Sequence, residues 1–497
     1  MNQIKLILLL AFSYPAFETI AQISIPGDVF NRIDKIEDTT SLNLYPSITK
    51  NLDDEFKVLY PYSKLSINSS YPRGYNDGPI WKGKGATWEF HGGFSMNRAA
   101  LSITLFPSVY YSQNSNFNLA PNGNQSLIPE RYKFGNGIDF VQQFGSGPFV
   151  ALHPGQSEIR LTFGKFSTSI STQNYSAGPS NYNPIILSRQ SAGFPHLRLG
   201  LEPINIRLKR FDIGKLEIQH VTGLLSESKY FDNNSLNDRR YFNGLFVGFS
   251  PSILQNLTIG LNKTLYKNTQ FFEPWDLLSV FYIIDSGVRG DSINTNDTFD
   301  QLASLTASWN FPDIGFRAYG EFAKNDFSGN IRWTLSEPEH SRAYTIGFEK
   351  IVQLKRDYFV LSYEHTNLSL NHSYLWRAEP PFYIHSVNMQ GYTHNGQILG
   401  AGIGPGSNSD HLELFYIHKS LALDFLFQRI EFNKDYFIRN VQGVTNHDVE
   451  YTLSFNIQKK FDHLDLGLET SYCYNMKRYY LSDEINFYLA LSTALRI

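Results

Sequence analysis

Apolar and polar residues alternate along much of this chain, and the alternation is cleanest near its end. In Asp448 to Phe461, DVEYTLSFNIQKKF, Val449, Tyr451, Leu453, Phe455 and Ile457 fall on one face and Glu450, Thr452, Ser454, Asn456, Gln458 and Lys460 on the other. Successive side chains of a strand point to opposite sides, so a period of two with segregated faces predicts a β-strand between two different environments. Leu464 to Asn475 repeats the pattern, with Leu464, Leu466, Leu468, Tyr472 and Tyr474 opposite Asp465, Glu469, Ser471 and Asn475, and Ile485 to Ile497 repeats it again. Noisier strands are predicted at Trp88 to Met96, Leu101 to Tyr111, Glu158 to Thr172, Lys215 to Leu225, Leu245 to Phe249, Leu257 to Tyr266, Leu302 to Phe311, Gly315 to Ala323, Ala343 to Ile351, Tyr358 to Leu370 and Leu412 to Asn433, some long enough to hold two.

A soluble sandwich and a membrane barrel both alternate in this way, but the sandwich buries its apolar faces while the barrel turns them outward to lipid. Strands of about ten residues recur to the chain end, aromatic residues gather near strand ends, and the polar faces are too polar for a sandwich core, which favours an all-β fold, a transmembrane antiparallel β-barrel. Roughly 410 residues at about 25 per strand and connection give about 16–18 strands. The start of the chain differs. Met1 to Ala21 carries Lys5, an apolar run from Ile4 to Phe12 and a small-residue site at Thr19-Ile20-Ala21, the pattern of a signal peptide. Val29, Phe30, Ile33 and Ile36 then fall at helical spacing behind a possible N-cap at Asp28, and a second short helix is predicted from Leu52 to Leu59. The predicted organisation is therefore a signal peptide over 1–21, a periplasmic helical segment over 22–80, and an outer-membrane barrel with extracellular loops over 81–497.

Composition sharpens this picture and removes some functions. Tyr 30, Phe 39 and Trp 6 make 15% of the chain aromatic, while charged residues are 18%, below the roughly 25% of soluble domains. The balance of 43 basic against 46 acidic residues gives no basic surface for nucleic acid. Cys473 stands alone, which excludes an intramolecular disulfide and a thiolate zinc site. No metal, cofactor or catalytic residue is expected: Glu337, Glu339 and His340 are split by Pro338, Asp410-His411 lacks a nucleophile at defined spacing, and no G-x-S-x-G occurs.

The chemistry concentrates in irregular stretches. Gly391 to Asp410, GYTHNGQILGAGIGPGSNSD, places Gly400, Gly402, Gly404 and Gly406 at every second position. A phosphate-cradling loop would lead into a helix, whereas Leu412 to Ile417 reads as a strand, so these glycines predict a compact ordered loop that passes close to another backbone. Asn174 to Gly200, with Gly178-Pro179, Asn183-Pro184 and Gly193-Phe194-Pro195-His196, and Arg131 to Pro148 have the same character.

Tyr132-Lys133-Phe134-Gly135-Asn136-Gly137-Ile138-Asp139, His153-Pro154-Gly155-Gln156-Ser157, Asn183-Pro184-Ile185-Ile186-Leu187-Ser188, Ala192-Gly193-Phe194-Pro195-His196, Tyr392-Thr393-His394-Asn395-Gly396 and Gly404-Pro405-Gly406-Ser407 occur in this order. Together they resemble the Wzi family of capsule-assembly proteins, closely over about 130 to 200 and 385 to 415. The resemblance implies an 18-stranded outer-membrane barrel with a small periplasmic helical element and loops closing its top. It also implies attachment of capsular or surface polysaccharide to the cell by lectin-like binding without catalysis, with outer-membrane lipid and polysaccharide export machinery as further partners. One departure is Ser176-Ala177, where the resemblance leads one to expect two tryptophans before Gly178-Pro179. Sugars offer C–H faces to aromatic rings and hydroxyls to planar polar groups. That makes Tyr175, Asn181, Tyr182, Asn183, Tyr392, His394, Asn395 and Asp410 the candidate polysaccharide-binding residues, with Gly178, Gly193, Gly400, Gly402, Gly404 and Gly406 as structural loop glycines. A barrel alone would equally serve a diffusion porin or transporter, and an outer-membrane enzyme is the third reading.

Overall fold

The computed structural model describes residues 41–47, 56–120, 138–281, 299–325, 335–377, 379–441, 443 and 445–496. Among them, 18 antiparallel strands close a barrel in which each strand pairs with the next in sequence. Phe56–Asn68 shuts the ring by pairing with both Gly85–Arg98 and Ser482–Leu495. Two wall strands are interrupted: Leu101–Leu105 continues as Ser108–Ser112, and Phe149–His153 continues as Glu158–Phe163. Prolines cause both breaks, since Pro107 and Pro154 have no N–H to give to the ladder.

Side-chain alternation sorts the wall into two faces. On Val449–Lys460, Tyr451, Leu453 and Phe455 are exposed on the outside while Glu450, Thr452 and Ser454 are buried on the inside. The same inversion of a soluble protein recurs on Asp357–Asn367, where Leu361 is outside and Ser362, Glu364 and Thr366 are inside. An apolar outer belt over a polar lumen is what a hydrocarbon surrounding selects.

Turns such as 209–210, 355–356 and 419–420 are short at one end, whereas the other end carries connections such as 113–148, 172–195 and 368–407. Short turns mark the periplasmic end of outer-membrane barrels and long loops the extracellular end. The long connections 172–195 and 368–407 do not stand clear of the barrel. They fold back into it, where Ile185, Ile186, Leu187, Tyr383, Tyr392, Ile398, Leu399, Ala401 and Ile403 form one buried core with the inward-facing wall residues Phe242, Phe246, Tyr266 and Leu302.

The predicted strands are present, with ends shifted. Glu158 to Thr172 and Leu412 to Asn433 each prove to be a hairpin, Glu158–Phe163 with Phe166–Ser171 and Asn408–His418 with Leu421–Glu431. The first wall strand starts at Phe56, so residues 56–80 belong to the barrel rather than to the helical segment 22–80, and the helix predicted from Leu52 to Leu59 is strand from Phe56 onward. Its alternation is masked by a register shift between Leu59 and Tyr62. Leu44–Pro46, assigned by sequence to the same helical segment, is a short strand paired with Tyr175–Ala177. The signal peptide and the helix predicted after Asp28 lie outside the described residues. His196–Leu208 is a wall strand that begins inside the range read as loop.

Candidate functional site

The plug is held by wall glutamates whose carboxylates take up loop amides that the strand ladder does not reach. Glu364 accepts the backbone N–H of Asn181 at 2.7 Å, Tyr182 at 3.2 Å and Asn183 at 2.8 Å, and the Tyr319 hydroxyl at 2.9 Å. Glu321 accepts the Ile185 amide at 2.9 Å, and Glu217 accepts those of Leu42 at 2.6 Å and Asn43 at 3.1 Å. The two loops also bind each other: Tyr383 donates its hydroxyl to the Ile185 carbonyl at 2.7 Å, and Ser188 donates to the Gly400 carbonyl at 2.6 Å. Arg240, fully buried on the wall, donates to the carbonyls of Gly391 and Thr393.

The glycine series is explained by these contacts. A Cβ on Gly400 would collide with the Ile185 carbonyl oxygen, and one on Gly402 would meet the Gln190 side chain at 2.5 Å. Gly404 and Gly406 turn the chain through positive φ.

The candidate residues fall mostly inside this plug. Tyr182 stacks on His411 with centroids 4.3 Å apart, Tyr392 stacks on Tyr383 at 5.7 Å, and Asn183 donates to the Ser409 hydroxyl at 3.1 Å. Tyr175 packs edge-on against His196 at 5.5 Å and reaches Glu158 at 3.3 Å. His394 is a buried neutral imidazole, its pKa pushed down to about 3 by burial, and Nδ1 accepts the Ser226 amide at 3.0 Å. Asn395 returns its amide to the Ser226 carbonyl at 2.8 Å. Asn181 donates to Glu349 at 2.9 Å and borders the lower cavity described below. Asp410 is separate from the rest. It shares its face of Asn408–His418 with the exposed Leu412 and Leu414, and it lies beside His365 at 2.8 Å, Tyr363 at 2.9 Å and Arg429 at 3.5 Å on the outer wall. Ser176-Ala177, the departure from the expected tryptophans, lies in the strand paired with Leu44–Pro46.

Two cavities flank the plug. The lower, about 1050 Å³, opens among the short turns and is bordered by Tyr45, Asn181, Arg189, Lys215 and Arg317. The upper, about 210 Å³, lies at the long-loop end, and none of its lining residues is shared with the lower one. They meet back to back where Arg189 faces down and Gln190 faces up.

The upper cavity combines rings with planar polar groups. Tyr71, Tyr75 and Trp81 come from the connection after the first wall strand, Phe140 and Gln142 from the next loop, Gln190 and Gln397 from the plug, and Gln428, Glu450 and Asn475 from the wall. Trp81 is fixed by its indole N–H to Asn114 at 3.0 Å and by the Phe144 ring at 4.8 Å. Arg73 donates to Gln428 at 3.0 Å and to Thr452 at 3.2 Å, and it pairs with Glu450 at 3.4 Å, which also accepts the Tyr71 hydroxyl at 2.8 Å. The Arg478 guanidinium lies 3.9 Å from the Tyr71 ring centroid. Asp448, accepting the Tyr479 amide at 2.8 Å, is pushed up to about 7 by burial. Sequence reasoning missed this set because Tyr71 to Ile80 fell within the assigned helical segment and Trp81 stood at its boundary with the barrel. The stretch YPRGYNDGPIWKGKG, aromatic and basic between breakers, carried the signal.

The family model described as capsule assembly protein Wzi matches residues 149–478. Among solved structures, the chain is similar to Wzi of Escherichia coli, described as an outer membrane carbohydrate binding β-barrel involved in group 1 capsule assembly. Identity is 12%, coverage is 87% of this chain and 83% of that one, and the TM-score is 0.57. It is also similar to OccAB2 of Acinetobacter baumannii, at 10% identity over 90% of this chain and 99% of that one, with a TM-score of 0.42. OprD of Pseudomonas aeruginosa follows at 11% identity over 92% and 97%, with a TM-score of 0.40. Comparison with curated protein sequences gives no match.

Proposed function

This chain belongs to the Wzi family of capsule-assembly proteins, and from that premise we propose that it holds capsular or surface polysaccharide non-catalytically in the upper cavity, tethering polymer to the outer membrane. The observation that carries the reading is the lining: Tyr75 and Trp81 offer faces for C–H stacking, while Gln142, Gln190 and Gln397 offer donors and acceptors for hydroxyls. The carbohydrate binding described for the Escherichia coli barrel supports the same reading. A plugged lumen supports tethering over diffusion of solutes.

Deleting the gene in its host tests the role. Total polymer should be unchanged while its cell-bound share, measured by sedimentation and sugar analysis, moves into the supernatant. An unaffected cell-bound share would end the capsule reading. Complementation with Trp81→Ala should restore retention only in part, since losing an aromatic contact of about 1–1.5 kcal/mol weakens binding roughly tenfold.

A further inference from the structure

Besides the group around Asp410, the outer wall departs from its apolar rule over a patch of three neighbouring strands. Phe242 and Tyr266, which pair across neighbouring strands, point into the lumen core, so the alternating residues Tyr241, Asn243, Leu265 and Lys267 face the membrane side. By the same parity, Val221 and Leu225 face inward and His220 and Thr222 outward. Four of these outward side chains are polar, on a face that elsewhere exposes Ile259, Leu261 and Leu305. Yet His220, Asn243 and Lys267 are buried, and Asn243 completely so.

The connection that follows Leu257–Asn268 covers them. Its short 3-10 turns Thr269–Phe271 and Pro274–Phe281 run down the outside of the barrel. Lys267 pairs with Asp276 at 2.5 Å, and Asn243 donates to the carbonyls of Asp276 at 2.9 Å and Leu277 at 3.2 Å. His220 hydrogen-bonds Asn243 at 2.6 Å and packs on Phe281 at 5.3 Å, while Tyr241 meets Phe272 at 4.8 Å. Unpartnered polar groups are costly in hydrocarbon, and these contacts satisfy them. The opposite side of the segment is uncovered and mostly apolar: Trp275 is 75% exposed, Phe271, Phe272, Leu277, Leu278 and Phe281 are exposed beside it, and Gln270 and Glu273 are the exposed polar residues among them.

We propose that residues 269–281 form a lateral strap that pins itself to the wall by the Lys267–Asp276 ion pair and inserts its exposed face among acyl chains of the outer leaflet. The occupant follows from continuity, because the strap lies on the membrane side of the wall and extends the apolar belt around it. Its aromatic and aliphatic face over a polar underside is the arrangement of an interfacial membrane element.

The test uses the full chain reconstituted in phospholipid vesicles with brominated acyl chains. The emission lost in Trp275→Phe relative to the parent isolates Trp275. Expected is quenching of that component by the bromolipid and protection from iodide in the water phase. Quenching by iodide with none from bromolipid would place the strap in water, its apolar face then serving a protein partner, and would overturn the proposal. Should the tryptophan variant misfold, Leu277→Cys carrying a polarity-sensitive dye gives the same reading, since the native Cys473 is buried. Asp276→Asn should release the strap and raise iodide access to Trp275 several-fold; unchanged access would overturn the role of the ion pair.

Discussion

Asp448 shows how one residue couples the upper cavity to pH. Burial holds its carboxyl at about 7 against an ordinary 3.8, and Arg478 and the Tyr479 amide only partly offset this. Between roughly pH 4 and pH 7 the folded protein keeps a proton that the unfolded chain has lost, so stability declines as pH rises through that window. Each pH unit inside it costs up to about 1.4 kcal/mol. Asp448→Asn should flatten the fall in unfolding temperature between pH 5 and pH 8, read by the mobility shift of the heated protein in detergent gels. Asp435 and Glu227, also held near 7 by burial, leave a residual slope. A variant with the parental slope would mean that Asp448 does not set this dependence.

At the scale of elements, wall and plug depend on different forces. The wall is a closed ladder of backbone hydrogen bonds, whereas the plug is anchored by a few carboxylates. Glu364→Ala strips the acceptor from three loop amides, each orphaned group costing about 1–3 kcal/mol, while the ladder between Asp357–Asn367 and Asn408–His418 stays paired. Protease added outside should then cut 172–195 faster and conductance in a planar bilayer should rise, with the heat-dependent mobility shift of the barrel preserved. A parental cleavage rate would mean that Glu364 does not hold the loop. The same division explains what was legible in the sequence. Alternation revealed most wall strands because their two sides meet different solvents. It hid Phe56–Asn68, where a bulge puts Leu59, Tyr60 and Pro61 in succession, and it merged hairpins whose turns are two residues long, such as Gly164-Lys165. Plug residues such as Asn183 and Tyr392 have the composition of a sugar site, yet they bury themselves in contacts with partners more than a hundred residues away, which no local pattern encodes.

The whole molecule must therefore be assembled in a particular order. The plug joins residues 41–47, 172–195 and 368–407, and its bonds span separations of 175 residues for Leu42 with Glu217 and 212 for Ser188 with Gly400. Closure of the wall needs the two ends of the barrel sequence, Phe56–Asn68 and Ser482–Leu495. Contacts this distant form late. Refolding into detergent should show strand formation by far-ultraviolet circular dichroism first, and a slower near-ultraviolet phase as Tyr383 and Tyr392 stack. A single shared rate for both signals would contradict this order.

The back-to-back residues Arg189 and Gln190 also define a path for force. Gln190, which accepts the Asn76 amide at 2.8 Å, borders the space where polymer is proposed to sit, and two residues earlier Ser188 is bonded to the opposite loop. Tension on a tethered chain would therefore run into the lumen and reach the wall through Glu364 and Glu321. Many buried bonds would share such a load in shear, where loop tips standing free in solvent would be peeled away one bond at a time.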